Sequence, residues 1–356
     1  MASNTVVIKI GTAVLRGEEL GELNYARMQT IAKSVHLLRQ AGMKVAIVSS
    51  GAVGLGMSKL HLEKKPKKIS SIQKCAAVGQ GILIDNWQKV FDDYDLPVAQ
   101  ILLTRDDVDD HDRHYALKEL FDDILSDNVV PIINENDSIS AAELNIKFGD
   151  NDVLSALIAT LIKADNLIII STAKGLLNTK GDGEIIPLVE KIDDYVMSLA
   201  TSTKTASGTG GMLTKLKAAE IATKNACNAY IVGGNEDFAP SRMLLDGEKL
   251  GTFFRASESN KVSKKRWYAH FGKSRGKLIV DSGASTALKE RGASLLSAGI
   301  VEVVGTFEEH DFVEILDQDK KLLARGLSSY SSAEILGTND DLTSKIAVHR
   351  DNLSLL

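Results

Sequence analysis

Short aliphatic runs recur along the first two thirds of the chain, at 5–10, 44–49, 97–103, 129–133, 166–171 and 229–233. Several are almost wholly Val, Ile and Leu, which suits strands buried on both faces. Between them the period lengthens to that of a helix. Residues 25–40 place Ile31, Val35 and Leu38 on one face, and residues 153–163 gather Leu154, Leu157, Ile158, Leu161 and Ile162 on another. Alternating strands and helices predict the α/β class, a mostly parallel sheet sandwiched by helices with right-handed crossovers.

The pattern changes near residue 256. Lys261, Lys264, Lys265, Arg266, Lys273 and Arg275 follow Glu258 with no acidic residue among them, as in an exposed linker. Short alternating strands with glycine turns come next, at Lys277–Asp281, Val301–Val304, Phe312–Leu316 and Leu322–Leu327, with a helix near 285–292. The expected organisation is a first domain over 1–255, a linker over 256–275 and a small, mostly β domain over 276–356.

Several polar residues break these patterns where a sheet would meet a ligand. Lys9 stands near the end of the apolar run Val6–Ile10, and Gly11-Thr12 follow at once. An ammonium there is costly unless it snorkels to solvent or meets an anion. Ser49-Ser50-Gly51-Ala52 closes another run and leads into small residues, a strand–turn–helix arrangement that fits an anion or a plain tight turn. Asn134-Glu135-Asn136-Asp137 crowds the end of a third run. Gly149-Asp150-Asn151-Asp152 precedes the helix at 153–163 with more polar side chains than one N-cap needs. The loop Ser207-Gly208-Thr209-Gly210-Gly211 opens a helix that carries Lys215 one turn inside.

Composition narrows the classes. Of 356 residues 44% are apolar and 25% charged, and the net charge is −5, so no general attraction to nucleic acid or anionic membrane is expected. The N-terminus has no basic, apolar leader pattern and no apolar stretch approaches a membrane span, so a cytoplasmic protein with no membrane partner is expected. Cys75 and Cys227 form no CxxC pattern and suit reduced thiols. There is no Walker A motif: before Gly272-Lys273-Ser274 the first glycine position is Trp267. His111 and His114, beside the acidic stretch Asp106–Asp112, suit a solvated loop better than a metal site.

Taken in order, these segments resemble the amino-acid kinase family, and most closely its members that phosphorylate the γ-carboxylate of glutamate. The resemblance runs over nearly the whole chain. It is carried by Val7-Ile8-Lys9-Ile10-Gly11-Thr12, Ser49–Ala52, Leu102-Leu103-Thr104-Arg105, Pro131–Asp137, Gly149–Asp152 and Gly208–Lys215. Asp281-Ser282-Gly283-Ala284 and Gly292–Ile300 resemble a PUA domain.

The resemblance implies a catalytic set of Lys9, Lys215 and Asp152, the lysines on the transferring phosphoryl group and Asp152 holding them. It implies glutamate binding by Ser50, Asp137 and Asn151. ATP would meet Lys9, Gly11, Ser171, Thr172 and the run Thr209, Gly210, Gly211, Met212, Leu213, Thr214 and Lys215. Mg²⁺ would accompany ATP. L-glutamate is the implied co-substrate, proline a possible feedback inhibitor, and a homo-oligomer the implied assembly. Thr172 departs from the family pattern, standing where an acidic residue is usual.

Other acids, such as aspartate or N-acetylglutamate, stay open as substrates, although the start lacks the Lys-Phe-Gly-Gly-Thr-Ser of aspartate kinases. A PUA-like tail also raises RNA binding, but residues 276–356 hold 8 Lys and Arg against 13 Asp and Glu, which disfavours nucleic acid.

Overall fold

A computed structural model describes residues 4–17, 22–139, 151–200, 211–257, 274–337 and 345–355. The chain divides into two units, one of residues 1–107 and 113–259, the other of 108–112 and 260–356.

The first unit runs β1 (Thr5–Ile10), α1 (Thr12–Leu15), α2 (Tyr25–Gln40), β2 (Lys44–Ser49), α3 (Ala52–Lys59), α4 (Ile69–Asp92) and β3 (Val98–Leu103). It continues with α5 (Arg105–Asp109) and α6 (His111–Ser126), whose residues within 108–112 fall to the other unit, and with β4 (Val130–Glu135), α7 (Asn151–Leu161), β5 (Asn166–Ser171), β6 (Leu188–Val189) and α8 (Asp194–Leu199). The last elements are α9 (Met212–Lys224), β7 (Asn228–Gly233), α10 (Ala239–Leu245) and β8 (Thr252–Phe254).

Among the described residues these strands form an eight-stranded sheet in the order β3-β4-β2-β1-β5-β7-β8-β6. The pairs from β3 through β7 are parallel, while β8 runs antiparallel to β7. Burial on both faces explains the aliphatic runs, and every residue of β1 is buried. Val6, Ile8 and Ile10 share a core with Val35 and Leu38 of α2 and with Leu83 and Trp87 of α4. On the opposite side α7 packs on β1 and against α9.

The α/β class and the parallel sheet are as expected, with several boundaries shifted. β4 continues to Glu135, so Asn134 and Glu135 lie inside the strand, buried, rather than past its end. α7 begins at Asn151. His111 and His114 are helical, not in a loop, because α6 starts at His111. The sequence reading did not mark α4, whose Gly79 and Gly81 weaken a helical pattern. Gly79 is required by close approach: a Cβ there would lie 1.8 Å from the Ala52 carbonyl oxygen of α3. One at Gly56 would lie 1.8 Å from the Cys75 carbonyl oxygen. The two helices therefore press together backbone to backbone. Cys75 and Cys227 are free and fully buried.

The second unit contains β9 (Gly276–Val280), β10 (Leu295–Leu296), β11 (Ile300–Gly305), β12 (Phe312–Leu316), β13 (Leu322–Leu327), β14 (Ile346–Val348) and β15 (Leu353–Leu355). Its main sheet has the order β11-β9-β12-β13-β15, and β10 pairs with β14. The helix Ser282–Arg291 starts at Asp281, whose carboxylate accepts from the Ala284 N–H, and stops at left-handed Gly292. Leu278, Val280, Leu288, Phe307, Val313 and Ile315 belong to its own core, a mostly β unit as the sequence predicted.

Candidate active site

Three elements deliver three charges to one buried point. β1 carries Lys9 in register with Val48 of β2 and Ile169 of β5, one residue before its end. α7 presents Asp152 in its first turn, and α9 presents Lys215 in its first turn. Lys9 Nζ lies 2.5 Å from Asp152 Oδ1, and Lys215 Nζ lies 3.0 Å from Oδ2. Thr214 Oγ1 donates to the same Oδ2 at 3.1 Å. The Asp152 side chain is fully buried, and both lysines are nearly so.

Burial alone would raise the Asp152 pKa. The attraction of Lys9 and Lys215 and their hydrogen bonds outweigh it and hold the carboxyl below the usual range. One carboxylate against two ammonium groups leaves an excess of positive charge at the sheet's C-terminal edge, where such folds bind ligands.

Beside this cluster runs a chain of amides. Asn151 Nδ2 donates to Ser50 Oγ at 2.5 Å and to Asn134 Oδ1 at 2.9 Å, and lies 3.4 Å from the Ser49 carbonyl oxygen. Asn134 Nδ2 donates to Gln80 Oε1 at 2.8 Å. Trp87, two turns beyond Gln80 on α4, donates from Nε1 to Ser49 Oγ at 2.9 Å. The chain thus ties β2, β4, α4 and α7 together.

Gln80 also lines a cavity with Ala52, Ala76, Leu102 and residues Glu135, Asn136, Asp137 and Ser138. Burial raises the Asp137 pKa, and the charge of Lys65 only partly offsets this.

The structure brings Lys9, Lys215 and Asp152 into contact, and Ser50 into contact with Asn151. Asp137 lies in the cavity that Gln80 joins to the amide chain. Gly11 donates its N–H to the Ile170 carbonyl at 3.1 Å, which sets the turn after β1 against the end of β5. There Ser171 Oγ accepts from the Ala173 N–H at 3.2 Å, and Thr172 is exposed. Gly211 precedes α9 without a side-chain cap, Met212 is half-buried, and Leu213 is exposed. Thr209 and Gly210 lie outside the described residues, as do Gly149 and Asp150.

Thr214, which sequence reasoning gave to the nucleotide, has its hydroxyl 3.1 Å from Asp152 Oδ2 and 2.8 Å from the Gly211 carbonyl oxygen. Gln80 was missed altogether, since a glutamine on a helix gives no signal of burial. Asn134 was noted but given no role, although an amide inside an apolar strand run is itself a signal.

Residues 4–233 match the Amino acid kinase family and residues 276–349 match the PUA domain. Among curated proteins, the glutamate 5-kinase of Thermoanaerobacter pseudethanolicus is 38% identical over 99% of this chain and 97% of its own length. The glutamate 5-kinase of Rippkaea orientalis is 40% identical over 99% of both. Among solved structures, carbamate kinase from Giardia lamblia bound to AMP-PNP aligns with a TM-score of 0.51 at 20% identity, covering 72% of this chain and 99% of that one. That likeness concerns the fold alone.

Proposed function

We propose that this chain, which belongs to the amino acid kinase family, phosphorylates the γ-carboxylate of L-glutamate with ATP, forming γ-glutamyl phosphate and ADP, the first step toward proline. The observation that carries the reading is the buried Lys9–Asp152–Lys215 cluster beside a pocket lined by Gln80 and Asp137. Full-length similarity to curated glutamate 5-kinases selects glutamate among acids.

Phosphoryl transfer asks for alignment and for positive charge on the equatorial oxygens, with little covalent work by the protein. Lys9 and Lys215 supply the charge from two sides, and Asp152 fixes their positions without touching substrate. The nucleophile, a carboxylate with an ordinary pKa of about 4.3, is ionised at neutral pH and needs no general base. One of its oxygens forms a bond to the γ-phosphorus as the bond to the ADP oxygen breaks.

We assign the γ-carboxylate end of glutamate to the side of Ser50 and Asn151, and its ammonium to Asp137. Gly11, Ser171, Thr172 and the segment Thr209 to Lys215 fall to ATP. Both Asp152 oxygens are engaged by lysines, and no three His, Cys, Asp or Glu cluster for a metal among the described residues. Mg²⁺ on the nucleotide phosphates would offset their charge.

The same reading assigns the kinase to residues 1–255 and a PUA-like domain to 276–356, joined by a linker over 256–275. It includes a cytoplasmic homo-oligomer inhibited by proline. No described helix is long and apolar enough to cross a membrane.

The test is a substrate panel with ATP, Mg²⁺ and hydroxylamine to trap acyl phosphate. Free L-glutamate should give the hydroxamate at the highest kcat/KM. Preference for aspartate or N-acetylglutamate would overturn the substrate assignment.

A further inference from the structure

The amide chain from Asn151 to Gln80 has a direction. Asn151 Nδ2 gives its two hydrogens to Ser50 Oγ and Asn134 Oδ1, with the Ser49 carbonyl oxygen on the same side at 3.4 Å. Asn134 thus presents Oδ1 to that nitrogen and Nδ2 to Gln80. Gln80 must then accept through Oε1, and its Nε2 is left pointing away from the chain. Gln80 is only 7% exposed, and among the described residues Nε2 has no hydrogen-bond partner. A buried amide donor of this kind is costly unless a ligand completes it.

Gln80 lines the cavity that also holds Asp137 and Glu135. The Asp137 carboxyl and one amide donor in one pocket match a zwitterion. The ammonium would take the acidic side. The group on the same carbon, the α-carboxylate, would then come to the donor.

We propose that Gln80 is a specificity-determining residue whose Nε2 donates to the α-carboxylate of the amino-acid substrate, its Oε1 being taken by Asn134. This rests on the glutamate assignment above. Helix α4 is held in place for the task, by the Trp87 bond to Ser49 and by the backbone contact at Gly79.

The test compares L-glutamate with 4-aminobutanoate, which keeps the ammonium and the reacting carboxylate but lacks the α-carboxylate. Dissociation constants are measured calorimetrically for wild type, Gln80→Leu and Gln80→Glu, with thermal melts to confirm folding. Hydrogen bonds to charged groups imply about a tenfold or greater loss of glutamate affinity in Gln80→Leu. Binding of 4-aminobutanoate should change less than about twofold, since the group read by Gln80 is absent from it. Gln80→Glu keeps the shape and the acceptor toward Asn134 but puts an acceptor where the donor stood. It should weaken glutamate at least as much as Gln80→Leu.

Equal losses for both ligands in Gln80→Leu, or wild-type glutamate affinity in folded Gln80→Glu, would overturn the proposal. Such results would leave the glutamate reading intact as long as wild type phosphorylates glutamate. A wild type that ignores glutamate would sink that reading, and this proposal with it.

Discussion

Asp152→Asn removes one charge and almost no volume from a fully buried polar point of the first unit. It leaves Lys9 and Lys215 facing each other with their common partner gone, where Lys9 Nζ had 2.5 Å and Lys215 Nζ 3.0 Å to a carboxylate oxygen. Two ammonium groups bridged in this way sit ~5 Å apart, so at an effective dielectric near 20 they repel by ~3 kcal/mol. Breaking a buried ion pair by removing one partner costs about 3–5 kcal/mol. At roughly 2–4 °C per kcal/mol this lowers Tm by some 6–20 °C.

The assay is a thermal melt of wild type, Asp152→Asn, Lys9→Met and the double variant, with kcat measured on each. The double variant should regain much of the lost stability, since one of the two repelling charges is gone. It should not regain activity. The destabilisation should also shrink in acid. Because the folded pKa of Asp152 is depressed, its contribution is complete above the unfolded value near 3.9 and is lost as pH falls through the folded value. A wild-type melt for Asp152→Asn, or a double variant less stable than the single, would refute the reasoning that charge compensation holds this cluster.

The other expectations concern catalysis, recognition and packing. Lys9→Ala and Lys215→Ala should each lower kcat by roughly 10²-fold or more with smaller changes in the KM for glutamate, because each ammonium acts on charge that develops in transfer; near-normal kcat in steady-state assays would leave the lysine a structural role. Burial raises the Asp137 pKa, so as pH falls the carboxylate protonates before an ordinary aspartate would, and the KM for glutamate should rise at those pH values. Asp137→Asn should show a high KM that no longer follows pH, and it should melt higher than wild type near pH 7 without substrate, since a desolvated charge is gone. Gly79→Ala should destabilise by about 1–3 kcal/mol through overpacking against Ala52. Gly81→Ala, two residues along the same helix with nothing within 4 Å of the added Cβ, should stabilise by about 0.5–1 kcal/mol; chemical denaturation of the pair reads both signs, and the same sign for both would contradict the α3–α4 contact.

The parallel core of the first unit was legible because strands buried on both faces leave aliphatic runs that little else produces. The three charged residues of the cluster were legible one by one, each as a polar residue where a local rule offered no full reason for it. What no local pattern contained was their meeting. Asp152 follows Lys9 and precedes Lys215 by long stretches of chain, and only the order of strands and the packing of α7 between β1 and α9 closes those distances. Gln80 marks the limit more sharply. Its immediate sequence neighbours are Gly79 and Gly81, which argue against a helix at all. Gly79 makes sense only once α3 is seen against α4, because the need for a missing Cβ there is set by another segment's backbone. The amide chain is a tertiary property for the same reason: it runs from a side chain of α7 through one of β4 to one of α4. Periodicity reports which face of an element is buried. The partners that each buried polar atom finds there depend on which elements the topology makes neighbours.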